Sequence, residues 1–137
     1  MTARVRIEPT YGETKLAIWA GLRRYNNEHA GMRTARPVTV SLREKNEIVG
    51  GLTGTVNRSW LSIELLWLEE TQRGKGFGAH ILKMAEAEAK RLGATRARVD
   101  TFSFQAPGFY EKMGYKPFGV LEDHPPGHRT IYLSKIL

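Results

Sequence analysis

The stretch from Trp60 to Gly93 constrains the fold more than any other, because its hydrophobic period changes partway along. Trp60 to Leu68 is apolar on both faces of an extended chain, as a buried central strand requires. Beyond a run of glycines, Gly78, Ile81, Leu82, Ala85, Ala89 and Leu92 recur at helical spacing and form one stripe. Lys83, Glu86 and Lys90 are expected off that stripe. Glu86 precedes Lys90 by one helical turn, the favourable order for a surface ion pair. Gly93 follows Leu92 as a left-handed helix terminator. A buried strand leading into a long amphipathic helix needs a sheet with that helix packed on it.

The rest of the chain supplies the sheet. Arg4 to Glu8 alternates Val5 and Ile7 with polar residues and predicts a short strand ended by Pro9. Glu13 to Glu28 reads as a helix, with Leu16, Trp19, Ala20 and Leu22 at helical spacing. Gly31 and Pro37 break regular structure. Val38, Val40 and Leu42 predict a half-buried strand, and Lys45-Asn46 a hairpin turn. Ile48 to Val56 is the returning strand, with Ile48, Leu52 and Val56 expected on one face. Gly50, Gly51 and Gly54 mark a weak point or bulge in it. Asn57-Arg58-Ser59 is a second turn. Arg96 to Thr101 reads as a strand and Ala106 to Met113 as a short helix closed by Gly114. Tyr115 to Leu121 and Arg129 to Leu133 are the last two strands. The expectation is an α/β fold: a mixed, mostly antiparallel sheet of six to seven strands with helices on both faces. Trp19, Trp60 and Trp67, with Phe102, Phe104 and Phe109, are expected in its core.

A chain of 137 residues predicts a single domain, 1–137, around one core. No run approaches the roughly eighteen apolar residues of a membrane span. Residues Met1 to Lys15 lack the apolar centre of a secretory signal, so a cytoplasmic location and no membrane partner are expected. The absence of cysteine excludes disulfides, a zinc-thiolate site and a cysteine nucleophile. The formal net charge of +7 favours an anionic partner: nucleic acid, a membrane surface or a phosphorylated cofactor. The basic residues are scattered from Arg4 to Lys135, which disfavours nucleic acid.

Arg73-Gly74-Lys75-Gly76-Phe77-Gly78 lies between the buried strand and the long helix. A helix start presents free backbone N–H groups in one direction, and its dipole adds positive potential. Glycines let a bulky anion approach the backbone, and Arg73 and Lys75 add charge. These are the parts of a pyrophosphate cradle. The segment is not a Walker A loop, since no Gly-Lys-Ser or Gly-Lys-Thr follows. It is not the dinucleotide fingerprint either. Ala79 at the third position is tolerated there, but that motif opens an early βαβ unit, whereas this segment follows an antiparallel meander. A glycine turn with no ligand is the competing reading.

The sequence here resembles the GNAT superfamily of acyl-CoA-dependent N-acyltransferases. Arg73, Gly76 and Gly78 match that family's phosphate motif position by position, and Leu65 to Leu68 matches its splayed strand. Ala106, Tyr110, Glu111, Lys112, Gly114 and Tyr115 match a second segment at the expected distance downstream. One departure is Ser103, where many relatives carry Asn. Its hydroxyl donates one hydrogen bond where an amide donates two.

The resemblance implies a splayed central strand pair and acetyl-CoA as acyl donor, with no metal. It implies that backbone groups from Arg73, Gly74, Lys75, Gly76, Phe77, Gly78 and Ala79 hold the pyrophosphate. Leu66, Trp67 and Leu68 would offer hydrogen bonds to the pantetheine arm, and Ser103 a further cofactor contact. Tyr110 would protonate the departing thiolate, a role that suits a phenol with an ordinary pKa near 10. Glu64, expected half-buried on the face shared with Leu66 and Leu68, is a candidate base for the amine. Glu28 and His29, with His124 and His128 of the 122–128 loop, are candidates to line the acceptor pocket. The two loop histidines make a poor metal site, since only Glu122 and Asp123 support them. The acceptor would be a small-molecule, peptide or protein amine, and a homodimer is usual among similar proteins. Two other readings stay open: a non-catalytic acyl-CoA-binding regulatory module and a basic nucleic-acid-binding protein.

Overall fold

Two tight turns with left-handed residues, Lys45-Asn46 and Arg58-Ser59, fold the first three strands into a meander in the computed structural model, which describes residues 2–137. Such turns match the right-handed twist of the strands they join. The elements are α1 (Gly12–Ala30), β1 (Arg36–Glu44), β2 (Glu47–Asn57), β3 (Trp60–Leu68), α2 (Phe77–Arg91), β4 (Arg96–Phe102), α3 (Pro107–Lys112), β5 (Lys116–Glu122) and β6 (Arg129–Ile136). The chain divides into two compact units, one ending at Arg33 and the other spanning Thr34–Leu137.

In the first unit, the strand expected over Arg4 to Glu8 does not form. Val5 and Ile7 are fully exposed, and the described residues of their own unit hold no strand for this segment to pair with. Two apolar residues cannot hold a strand without a ladder for their backbone groups. The helix forms with the expected limits to within two residues, but none of its residues is buried. Trp19 is 49% exposed and carries the Arg23 guanidinium 5.0 Å above its ring, contrary to the core position expected for it. Within its own unit a single helix has no second layer to cover its apolar stripe.

The second unit is one six-stranded mixed sheet in the order β1-β2-β3-β4-β6-β5. All neighbours are antiparallel except β3 and β4, the connection that α2 makes possible. α2 packs across β1, β2 and β3. Its Ile81, Leu82, Ala85 and Ala89 meet Val38, Leu52, Leu61 and Leu133 in the core. Each fully buried leucine or valine there contributes about 1.5–3 kcal/mol.

Two bulges correct the sequence reading of faces. Val49 is an extra residue on β2 opposite the Leu42–Arg43 step, so Ile48 turns outward, 60% exposed, while Leu52 and Val56 stay inside. Glu64 is an extra residue on β3 opposite the Thr53–Gly54 step. Before it Leu61 and Ile63 face the core; after it Leu66 and Leu68 do. Glu64 therefore does not share the face of Leu66 and Leu68, and it is exposed rather than half-buried. Trp67 is 53% exposed for the same reason.

Glu86 also departs from expectation. It is buried, because it stands one turn from Leu82 and three residues from Ala89, in line with the stripe. Its carboxylate accepts a hydrogen bond from the Tyr115 hydroxyl at 2.6 Å and pairs with Lys135 Nζ at 3.0 Å. The surface ion pair of α2 is instead Glu88 with Arg91.

Candidate active site

The ladder between β3 and β4 is short. It joins Trp60–Ser62 to Arg96–Arg98 and then stops. Beyond it the strands part, and the backbone groups that β3 turns toward β4 have no strand to bond. The opening is a cleft of about 750 Å³. Ile63 to Leu68 form one wall and Val99 to Thr101 the other. Arg73 and Gly78 stand at one end, while Ala106, Phe109 and Tyr110 of the α3 region also line it.

The glycine loop forms the start of α2. Gly76 is the N-cap in a left-handed conformation, φ +83°, which a side chain would strain. No side chain caps this end, and the first helical hydrogen bond is His80 N–H to Gly76 O at 3.2 Å. The N–H groups of Phe77, Gly78 and Ala79 therefore have no acceptor within the helix. Gly78 packs against α3: a Cβ there would touch the Phe109 ring at 3.4 Å, ordinary van der Waals contact. Arg73 donates from Nε to the Leu68 carbonyl at 3.0 Å, which ties the loop to the end of β3.

Tyr110 is buried, its ring edge-on to Phe109 and Tyr115. Its backbone carbonyl accepts the Tyr115 N–H at 3.0 Å, closing α3 before Gly114. Its hydroxyl has no hydrogen-bond partner among the described residues. Burial first, and then the negative charge of Asp100, push its pKa up to about 12. Tyr115 is pushed up further, by burial and by its bond to the Glu86 carboxylate.

These shifts carry a sign for stability. A phenol is neutral while protonated, and in the unfolded chain it ionises near pH 10. Between about pH 10 and 12 the unfolded chain has released protons that the folded chain keeps, so stability falls as pH rises. Tm is expected to be insensitive to these phenols below about pH 9. Above pH 10 it should fall, by at most about 1.4 kcal/mol of stability per pH unit for each phenol. Thermal unfolding across pH 8–11 checks this for Tyr110→Phe beside the parent; an equally steep alkaline loss in both would count Tyr110 out.

Of the residues picked from the sequence, Tyr110, Glu64, Leu66, Trp67, Leu68, Arg73 and Gly78 come together on this cleft. Gly74, Lys75, Gly76, Phe77 and Ala79 complete the loop at its Gly78 end. Ser103 sits in the strand connection: its hydroxyl accepts the Arg129 N–H at 3.0 Å, and its own N–H bonds the Arg129 carbonyl. Glu64 accepts the Thr55 hydroxyl at 3.0 Å.

The two loop histidines are held rather than free. The Thr130 hydroxyl donates to the His124 carbonyl at 2.8 Å, so at 2.6 Å His124 Nδ1 is the donor to Thr130 Oγ1. The His128 ring meets Phe104, a lining residue, at 4.9 Å. Glu28 and His29 belong to the first unit, where the His29 ring stacks on Tyr25 and its Nδ1 donates to the Tyr25 carbonyl. Asp100 and Gln105 were not picked out. Gln105 accepts the Phe102 N–H at 2.7 Å and shapes the turn that carries Phe104. Alternation along β4 already placed Asp100 opposite Val99 and Thr101, but only the splay gives that position a cleft.

A parallel strand pair that parts beside an uncapped helix start offers an anion-binding end and an open strand edge in one cleft. The chain belongs to the acetyltransferase (GNAT) family, whose model matches residues 5–115, and is an N-acetyltransferase by class. It is 40% identical over 108 residues to the blasticidin-S acetyltransferase of Streptomyces morookaense, covering 75% of this chain and 79% of that one. The crystal structure of an acetyltransferase from Bacillus cereus ATCC 14579 aligns with a TM-score of 0.89 at 34% identity, covering 97% of this chain and 98% of that chain. An aminoglycoside 6'-N-acetyltransferase complexed with coenzyme A aligns with a TM-score of 0.65 at 18% identity over 73% of this chain and 72% of that one, a likeness of fold.

Proposed function

We propose that this protein transfers the acetyl group of acetyl-CoA to a primary amine by direct attack in a ternary complex. The observation that carries the reading is the single cleft that runs from the α2 start to Tyr110. The residues suit the donor. No acidic side chain lies between Arg73 and Ala79, the free amides point one way, and open space surrounds Gly74 and Gly76.

When bound, acetyl-CoA supplies the activated acyl group. The N–H groups of Phe77, Gly78 and Ala79 bind the diphosphate, with Arg73 and Lys75 balancing its charge. The open edge of β3 at Leu66 to Leu68 bonds the pantetheine arm as an added strand would, and an N–H near Leu68 polarises the acyl carbonyl. Tyr110 holds a proton at its hydroxyl for the leaving sulfur. With its pKa pushed up to about 12, it stays protonated throughout the neutral range. Glu64, exposed on the cleft wall, takes the proton of the amine. Positioning two reactants in one cleft supplies much of the rate.

The test has two parts. Calorimetry with acetyl-CoA is expected to show binding that Gly76→Val reduces at least about tenfold, since a β-branched residue is strained at the left-handed N-cap that sets the direction of the free amides. Thiol release with a panel of primary amines is expected to show turnover. Binding without turnover of any amine would favour the regulatory module, and no binding would end the proposal.

A further inference from the structure

Glu64 and Asp100 occupy matching places on the two strands that part. The last ladder pair of β3 and β4 is Ser62 with Arg98, and each acid stands two residues beyond it. They also share a face. Arg98 Nε donates to Ser62 Oγ at 2.8 Å, so those two side chains lie on one side of the sheet. Asp100 follows Arg98 on that side by strand alternation. Glu64 joins it through the bulge, since its partner Thr55 is the register neighbour of Ser62.

Both acids line the cleft, and Arg73, at its other end, is the one cation among the lining residues. Arg73 is tied to the Leu68 carbonyl and Arg98 to Ser62. Neither acid has an ion pair among the described residues. The fork thus carries two carboxylates without ion pairs, with the Arg98 guanidinium, whose charge the Ser62 hydroxyl does not neutralise, beside them on the same face. Two carboxylates aimed at one opening attract cations and repel anions.

We propose that Asp100 selects the acceptor, and that the acceptor is a small amine carrying a second positive charge. This rests on the cleft being the place of acetyl transfer. One ammonium gives up its proton near Glu64 and reacts, while the other cationic group pairs with Asp100. Adjacent strands lie about 4.8 Å apart where they pair and separate from there, so the two groups are held by a short spacer. An acceptor with a neutral or anionic second group leaves Asp100 uncompensated.

The test compares putrescine, aminobutanol and aminobutyrate, which share a chain length and differ in the second group. With acetyl-CoA saturating, kcat/KM is expected to fall by about fivefold or more at each step from dication to anion, and the first step should shrink in high salt. Asp100→Asn is expected to reduce the putrescine-to-aminobutanol ratio toward one. The ratio is the readout because Asp100 also acts on Tyr110, and that effect is common to both substrates. Equal kcat/KM for the three amines, or a ratio unchanged by Asp100→Asn, overturns the proposal. Calorimetric titration of the same amines into the protein saturated with coenzyme A reads selection without turnover. Charge-ordered binding there with no acetylation would spare the role of Asp100 while removing the catalytic reading; binding without charge order overturns it.

Discussion

Replacing Tyr110 with Phe is expected to lower kcat for acetyl transfer by about 10²–10⁴-fold while leaving the affinity for acetyl-CoA nearly unchanged. The substitution removes one atom. The ring keeps its packing against Phe109 and Tyr115, and the lost hydroxyl had no hydrogen-bond partner among the described residues. Stability should therefore stay within about 0.5–1 kcal/mol of the parent. The loss falls on the chemical step because, in the proposed reaction, the phenol delivers a proton as the thiolate leaves. Between pH 6 and about pH 9 the parent should show no alkaline decline from Tyr110, whose pKa lies near 12. Single-turnover kinetics beside calorimetry separates the two quantities; a kcat within about threefold of the parent would remove Tyr110 from the chemistry.

The second large effect is structural. Glu86→Ala is expected to cost about 2–4 kcal/mol, because it leaves Lys135 and the Tyr115 hydroxyl without their shared partner inside the fold. For a chain of this size that corresponds to a fall in Tm of about 10 °C. Glu86→Gln keeps an acceptor for Tyr115 and should lose less than half as much. Thermal unfolding of the three proteins decides it: a shift below about 2 °C for the alanine variant would mean the trio contributes little. The trio joins α2, the end of α3 and β6, so it also bears on where Tyr110 sits.

Legibility in the sequence followed the range of the interaction. The α2 stripe, its Gly93 stop and the two meander turns depend on residues within a few positions of each other, and they formed where expected. The glycine loop was legible for the same reason, and the matched segment around Tyr110 pointed to its cleft position. What stayed hidden was non-local or depended on parity. Single extra residues at Val49 and Glu64 reversed which side chains face the core, and alternation alone cannot reveal an insertion without its partner strand. Glu86 looked like a surface acid because its partners, Tyr115 and Lys135, lie far along the chain. Asp100 became interesting only once the β3–β4 ladder was seen to end at Arg98. The short alternation at Val5 and Ile7 had the right pattern and no partner strand among the described residues of its own unit, which no local rule can supply.

The bulge at Glu64 divides β3 into two stretches that answer to different demands. Downstream of it, Leu66 and Leu68 stay anchored on the helix side by the core they pack against. The surplus residue itself is released from that obligation. On the proposed function, a substitution at that kinked position alters the acceptor side of the cleft and leaves the packed half of the strand in place.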